Sequence, residues 1–375
     1  MNYVLDLRTI TDHFPGIGRY GFNLAQAIAS LLERSERLIL LRDPTAPSRW
    51  DVSALASERV RVIEAPLSPF SFCQQWVIPS LLRRLTNAGD HWLYHSLYYL
   101  MPYRPGIPAV FTCYDLIPLI CPRYFSPLQR LVYRLAHRLA LSTACVVLAI
   151  SEATKADLIR HFSIASDQVV VTPLAADTRF TPRSPEEVAA VRQKYTLSDP
   201  YVLYIGSNKP HKNLVRLVEA LSRQPSPITL VIGGTWDHRY PQARQRAYEL
   251  GMSGRVRWLG PVPECDLPAL YSGAILFAFP SEYEGFGLPV LEAMACGTPV
   301  VCSRTSSLPE LAGDAALLVD PLDVEEIATG IRCILEDEEL RWQMRERGLM
   351  RAALFSWERT ARMTLAAYER ALSGT

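Results

Sequence analysis

A chain of 375 residues is long enough for two α/β domains, each burying its own core, and 39 Lys plus Arg balance 38 Asp plus Glu. That balance excludes the basic field by which proteins hold nucleic acid through phosphate neutralisation. No run of about eighteen apolar residues occurs, which excludes a membrane-spanning helix, and the N-terminus lacks the basic start and apolar stretch of a signal peptide.

From the N-terminus, residues 3–7 form a short apolar run, and Phe14-Pro-Gly-Ile-Gly-Arg-Tyr then opens a helical pattern over 19–33. The loop offers the amides of Gly16 and Gly18 to an anion. It lacks the third glycine and the acidic partner of a dinucleotide-binding fingerprint, which argues against an NAD enzyme. Apolar runs at 38–41, 60–63, 109–114 and 146–150 alternate with helical patterns, the rhythm of a parallel sheet with crossover helices. His91 and His95 stand beside a strand rather than on one helix face, and no HExxH pattern occurs, so no metal site is expected. Phe111-Thr-Cys-Tyr-Asp-Leu-Ile-Pro ends a buried strand with Tyr114 and Asp115 at its carboxyl edge, where open α/β sheets place ligands. Asp115 either meets a ligand there or caps the loop. Over 128–141, Arg130, Arg134, His137 and Arg138 interleave with leucines, and Arg83 and Arg84 add to them. Such a helix either covers its own sheet or lies on anionic lipid, and the sequence leaves both open.

Between Pro173 and Pro200 the rhythm breaks around prolines and polar residues, which places a domain junction there. The expected division is an N-terminal domain over 1–178, a C-terminal domain over 179–355 and a final helix over 356–375. A second alternation runs through 201–206, 228–233, 256–259, 275–279 and 299–302. The first of these strands ends in Gly206-Ser-Asn-Lys-Pro-His-Lys-Asn, a basic loop. The fourth leads into Pro280-Ser-Glu-Tyr-Glu-Gly-Phe-Gly-Leu, where Gly285 and Gly287 let amides approach an anion and a helix starting near Leu288 points its positive end the same way. Glu284 lies in that loop and Glu292 one turn into the helix, and a carboxylate can fix a pair of sugar hydroxyls. Residues 325–372 are helix-forming, with Ser356 as N-cap of a last helix expected to pack back on the N-terminal domain. The eight cysteines lie singly and read as reduced core residues of a cytoplasmic protein.

The string over 284–301, EGFGLPVLEAMACGTPVV, resembles the retaining glycosyltransferases of family 4, which carry two glutamates separated by seven residues in this form. Gly-Ile-Gly-Arg-Tyr at 16–20, Asp-Leu-Ile-Pro at 115–118, Ala-Ile-Ser-Glu at 149–152 and Pro-His-Lys-Asn at 210–213 extend the resemblance in order along the chain. It implies a GT-B fold, two Rossmann-like domains facing one another, with a nucleotide-sugar donor held mainly by the C-terminal one and the N-terminal one on the acceptor side. By the same resemblance Glu292 would hold the ribose, while Glu284 and the amides of Phe286, Gly287 and Leu288, beside Gly285, would meet donor sugar and diphosphate. Lys212 would stabilise charge on the departing diphosphate. Many relatives place Arg where this chain has Ser207, so either Lys209 or His211 would supply a second cation beside Gly206 or the second cation is absent. Relatives also carry His where Tyr114 stands, and a phenol cannot shuttle protons near neutral pH.

The implied reaction retains anomeric configuration: the acceptor hydroxyl attacks from the leaving-group side and the leaving phosphate takes its proton. Without an Asp-x-Asp motif no metal is expected, and no cofactor beyond the substrate nucleotide sugar, GDP- or UDP-linked. The expected donor is GDP-mannose, and the expected acceptor a saccharide or lipid-linked saccharide in cell-surface polysaccharide or glycolipid synthesis. The expected location is the cytoplasm, with peripheral contact at the inner membrane face left open. Two alternatives stand beside this: a sugar-nucleotide epimerase of the same fold, and a nucleotide-sugar-binding protein that has lost catalysis, motivated by Tyr114 and Ser207.

Overall fold

A computed structural model describes residues 1–86, 91–197, 200–224 and 228–374. The chain divides into two compact units, Met1–Leu174 with Ser356–Thr375, and Ala175–Phe355. The division falls four residues before the boundary expected after 178, and the last helix belongs to the first unit.

In the first unit the order is β1 (Asn2–Asp6), α1 (Pro15–Leu31), β2 (Arg37–Arg42), β3 (Val60–Glu64), α2 (Gln74–Leu85), β4 (Trp92–Ser96), β5 (Ala109–Cys113), α3 (Ile117–Ile120), α4 (Pro127–Thr143), β6 (Val146–Ala149), α5 (Glu152–Phe162) and β7 (Val169–Val171). The strands form one sheet in the order β3-β2-β1-β4-β5-β6-β7, every neighbouring pair parallel. Burial on both faces explains why β1, β4 and β5 are buried throughout, as parallel strands covered by helices must be. On one face Ile78 and Leu82 of α2, Ala140 and Leu141 of α4 and Leu158 of α5 share a core with Val4, Tyr94, Phe111 and Val147.

The second unit runs α6 (Pro185–Tyr195), β8 (Tyr201–Ile205), α7 (Leu214–Ser222), β9 (Thr229–Gly233), α8 (Gln242–Glu249), β10 (Val256–Gly260), α9 (Leu267–Gly273), β11 (Leu276–Phe279), α10 (Leu288–Ala295), β12 (Val300–Ser303), α11 (Leu308–Ala312), β13 (Ala316–Val319), α12 (Val324–Glu336) and α13 (Glu338–Ala352). Its parallel sheet has the order β10-β9-β8-β11-β12-β13. In both sheets the order reverses beside the first strand, between β1 and β4 and between β8 and β11. Such a reversal opens a crevice at the carboxyl ends of the two strands.

The last helix, α14 (Trp357–Ser373), begins at Ser356, whose side chain accepts from the Arg359 amide at 3.1 Å. It packs on α1, β5 and β6 of the first unit. Tyr368 anchors it: its hydroxyl lies 2.6 Å from His95 Nδ1 and its ring 5.1 Å from that of Tyr3. Burial pushes the His95 imidazole down to about 3, so it stays neutral and bridges Tyr368 to Thr112, 2.8 Å from Nε2. Two strands escape the sequence pattern, β7 with three residues and β13, only partly buried. The cysteine expectation is half corrected: all eight are free, but only Cys113, Cys121, Cys296 and Cys302 are buried, while Cys73, Cys145, Cys265 and Cys333 are exposed.

Candidate functional site

The strand order of the second unit sets β8 beside β11, so the loops leaving their carboxyl ends meet although they are some seventy residues apart in sequence. One carries Gly206–Asn213 and the other Pro280–Gly287. Backbone bonds tie them: the Glu282 amide donates to the His211 carbonyl at 2.7 Å, and the Asn213 side chain donates to the carbonyls of Pro280 at 2.8 Å and Pro321 at 2.6 Å. Asn213 adopts a left-handed backbone, φ 61°, which turns the chain directly from the basic loop into α7.

This clamp brings Lys212 to Glu284. The ammonium lies 2.7 Å from both carboxylate oxygens and 5.4 Å from the centre of the Phe279 ring. Both side chains are largely withdrawn from water, 19% and 9% exposed, so the pair is held rather than solvated. The Glu284 backbone is fixed separately: its amide donates to Ser306 Oγ at 2.9 Å and its carbonyl accepts from Ser307 Oγ at 3.0 Å. Gly287, at φ 100°, turns the loop into α10, and a Cβ there would lie 2.5 Å from Leu308 Cδ2. Both facts require glycine at this position. Phe286 is buried with its ring edge-on to Phe355, leaving Leu288 to open the helix. Gly285 is buried in the same bend.

Glu292 is 2% exposed, one turn into α10, and accepts from the Tyr271 hydroxyl at 3.0 Å. A buried carboxylate held by a phenol is oriented for further donors, as a pair of vicinal hydroxyls would supply. Tyr271, Ser306, Ser307 and Asn208 carry no sequence signal for these tasks. Asn208 pins the following loop, donating to Asp237 and Tyr240 carbonyls at 2.8 and 2.7 Å and accepting from the Asp237 amide.

Of the basic-loop residues, His211 is not a cation. Burial, then the charges of Lys212 and Lys209, push its imidazole down to about 3. Lys209 stands exposed, and Ser207 spends its carbonyl on the Tyr204 hydroxyl at 2.9 Å. Gly206 donates its amide to the Gly233 carbonyl at 2.9 Å.

In the first unit, Gly16 and Gly18 lie within the first turn of α1 rather than in a loop before it. The Gly18 amide donates to the Phe14 carbonyl at 2.8 Å, and a Cβ on Gly18 would fall 2.1 Å from the Trp50 ring. Gly18 is thus a packing residue whose amide is spent, correcting its expected role as an anion donor. Tyr114 follows β5 with its hydroxyl buried and without a hydrogen-bond partner among the described residues, its ring edge-on to Tyr20. Burial raises the phenol far above its ordinary value, so it keeps its proton. Asp115 Oδ1 accepts from the Ile117 amide at 3.0 Å, the loop-capping arrangement.

The chain matches two family descriptions, Glycosyltransferase Family 4 over residues 15–180 and Glycosyl transferases group 1 over residues 188–350. O-antigen chain mannosyltransferase B of Escherichia coli is 34% identical across 98% of this chain and 100% of its own. Among solved structures, sucrose-phosphate synthase from Thermosynechococcus elongatus superposes with TM-score 0.76 at 23% identity over the whole of both chains. HepE from Anabaena, solved in complex with UDP and glucose, superposes at 0.78 with 20% identity, covering 99% of this chain and 100% of its own.

Proposed function

This chain belongs to the family 4 glycosyltransferases and has the GT-B fold, and from that premise we propose that it moves mannose from GDP-mannose to a saccharide acceptor. The observation that carries this reading is the Lys212–Glu284 pair, held at the strand-order reversal, with Glu292 buried on α10, the helix that follows the same loop. Glu292 binds the ribose hydroxyls. The amides of Phe286, Gly287 and Leu288 at the α10 N-terminus meet the diphosphate, an arrangement that favours anions. Glu284 positions the Lys212 ammonium and meets the donor sugar. As the glycosidic bond breaks, negative charge grows on the leaving diphosphate and Lys212 answers it, the task a divalent ion performs in other transferases.

In this reading the acceptor hydroxyl attacks from the side the diphosphate leaves, its proton passes to the leaving phosphate, and configuration is retained. The choice of mannose rests on the E. coli relative named a mannosyltransferase, and so does the choice of a cell-surface polysaccharide or its lipid-linked precursor as acceptor. A thermal-shift series with GDP-mannose, UDP-glucose and ADP-glucose tests the donor. GDP-mannose is expected to raise the apparent stability, by about 2.7 kcal/mol at a hundredfold excess over Kd. Stabilisation by UDP-glucose alone overturns the mannose assignment, and formation of a 2-epimer from the donor would establish the epimerase instead.

The outer face of α4 supports an accompanying reading, contact with anionic membrane. Leu128, Leu131, Val132, Leu135 and Leu139 are all exposed and fall at helical spacing on one stripe. Arg138, also exposed on α4, and Arg83 and Arg84, exposed on α2, supply positive charge that complements anionic headgroups. His137 does not join them: it is buried against Tyr99 and Tyr133, and burial pushes it down to about 4. No helix among the described residues is long and apolar enough to cross a membrane. Phosphatidylglycerol-containing vesicles are expected to sediment the protein where phosphatidylcholine vesicles do not, and L131Q with L135Q to abolish it. Equal binding by the double variant would end this reading.

A further inference from the structure

The segment that carries Glu284 is held from two distant parts of the chain. Arg216 of α7 places Nη1 3.1 Å from Glu282 Oε1 and 2.8 Å from Asn213 Oδ1, which ties the segment to the loop after β8. The connection from β12 into α11 holds it a second time, with three consecutive hydroxyls. We propose that Ser306, helped by Thr305 and Ser307, is a positioning residue of the transfer site: it holds the Glu284 backbone where the carboxylate keeps the Lys212 ammonium in place. The consequence for rate rests on the transferase reading above; the mechanical coupling to Lys212 does not.

Thr305 Oγ1 donates to the Glu282 carbonyl at 3.0 Å, Ser306 Oγ accepts from the Glu284 amide at 2.9 Å and Ser307 Oγ donates to the Glu284 carbonyl at 3.0 Å. Both backbone groups of Glu284 are therefore bonded by side chains, whereas about two-thirds of protein hydrogen bonds join backbone to backbone. The connection is itself anchored: the Arg304 amide donates to the Val319 carbonyl of β13 at 2.8 Å, and the Arg304 guanidinium pairs with Asp320 and Glu326. Beyond it, Leu308 and Leu311 of α11 put methyls 2.5 and 3.2 Å from where a Cβ on Gly287 would stand. One anchored piece of chain thus backs the loop from Glu282 to Gly287.

The backbone of Ser306 sets it apart. Among the described residues four that are not glycine adopt left-handed angles, and two of them, Ser163 and Thr196, close the helices α5 and α6, where that conformation is common. The other two bond the segment over 280–284: Asn213 through the Pro280 carbonyl and Ser306, at φ 53°, through the Glu284 amide. Glycine would take the Ser306 angles without strain, but it has no hydroxyl. Strain of this kind persists where surrounding contacts over-determine it, and here the contact ends on Glu284. With that backbone fixed, the two carboxylate oxygens stay 2.7 Å from Lys212 Nζ. A displacement of about 1 Å at such a group can cost about a hundredfold in rate.

Two measurements on the full chain test this. In S306G the relieved strain offsets the lost hydrogen bond, so the variant is expected to melt near the wild-type temperature. Its kcat for GDP release from GDP-mannose, with methyl α-mannoside as acceptor, should nevertheless fall at least about tenfold, with KM for the donor within about twofold of wild type. T305V should also slow turnover, and T305S, which keeps the hydroxyl, should recover what T305V loses. The second measurement needs no substrate. K212A leaves the Glu284 carboxylate withdrawn from water and lowers the melting temperature; with S306G added, the freed carboxylate can reach water and the K212A loss should shrink. A role confined to the loop backbone predicts equal losses in the two backgrounds. Wild-type kcat in both S306G and T305V, a defect in KM alone, T305S as slow as T305V, or equal K212A losses overturns the proposal. If the wild type releases no GDP from GDP-mannose, the donor reading fails, and unequal K212A losses would leave the coupling of Ser306 to Lys212 standing.

Discussion

Lys212→Ala is expected to slow sugar transfer by about 10²- to 10³-fold, the loss seen when one preorganised group facing developing charge is removed. Donor affinity should change far less, because the ammonium contributes most where the diphosphate gains charge. Its position is fixed before any ligand arrives, 2.7 Å from both oxygens of Glu284 and above the Phe279 ring, so little reorganisation is needed at the moment of reaction. The same variant leaves the Glu284 carboxylate withdrawn from water without its cation, which lowers stability. The double variant K212A/E284Q isolates the stability effect: it should restore the melting temperature that K212A alone lowers. Single-turnover measurement at saturating donor reads the chemical step directly, and an unchanged rate in K212A would remove Lys212 from the mechanism.

Glu292→Gln is expected to weaken donor binding by about 10- to 100-fold, as hydrogen bonds to a charged acceptor contribute about 1.5–3 kcal/mol. Glutamine keeps the volume of the buried side chain, and its carbonyl can still accept from Tyr271, so the fold of α10 should be intact. The ribose assignment makes a further demand. Calorimetric titration should show the same loss with GDP as with GDP-mannose, since both present the ribose, and little change in kcat at saturating donor. A loss confined to GDP-mannose would move Glu292 from the ribose to the sugar.

The fold was legible in the sequence because each parallel strand, buried on both faces, must be a short apolar run, and each crossover must show helical period. Where those conditions weakened, reading failed: β7 is three residues long, and β13 is mostly half-buried. The loop over 280–287 was legible because its whole string resembles a family motif, and the left-handed turn at Gly287 fits the glycine that the string carries there. Gly16 and Gly18 show the limit of that logic. The same glycine spacing can open a loop or sit in the first turn of a helix, and the packing of Trp50 against Gly18 comes from outside the local segment.

By itself, then, the sequence determined the succession of strands and helices, the residue types in the loops after β8 and β11 and the resemblance that names the reaction class. Tertiary structure decided which of those residues act together. The pairing of β8 with β11 brought Lys212 to Glu284, and the packing of α9 on α10 brought Tyr271 to Glu292. Burial made His211 neutral where its formula allowed a cation, and hid the Tyr114 hydroxyl where a ligand contact was expected. The reason is that spacing along the chain fixes local geometry, whereas charge state and partnership depend on desolvation and on contacts between segments far apart in sequence.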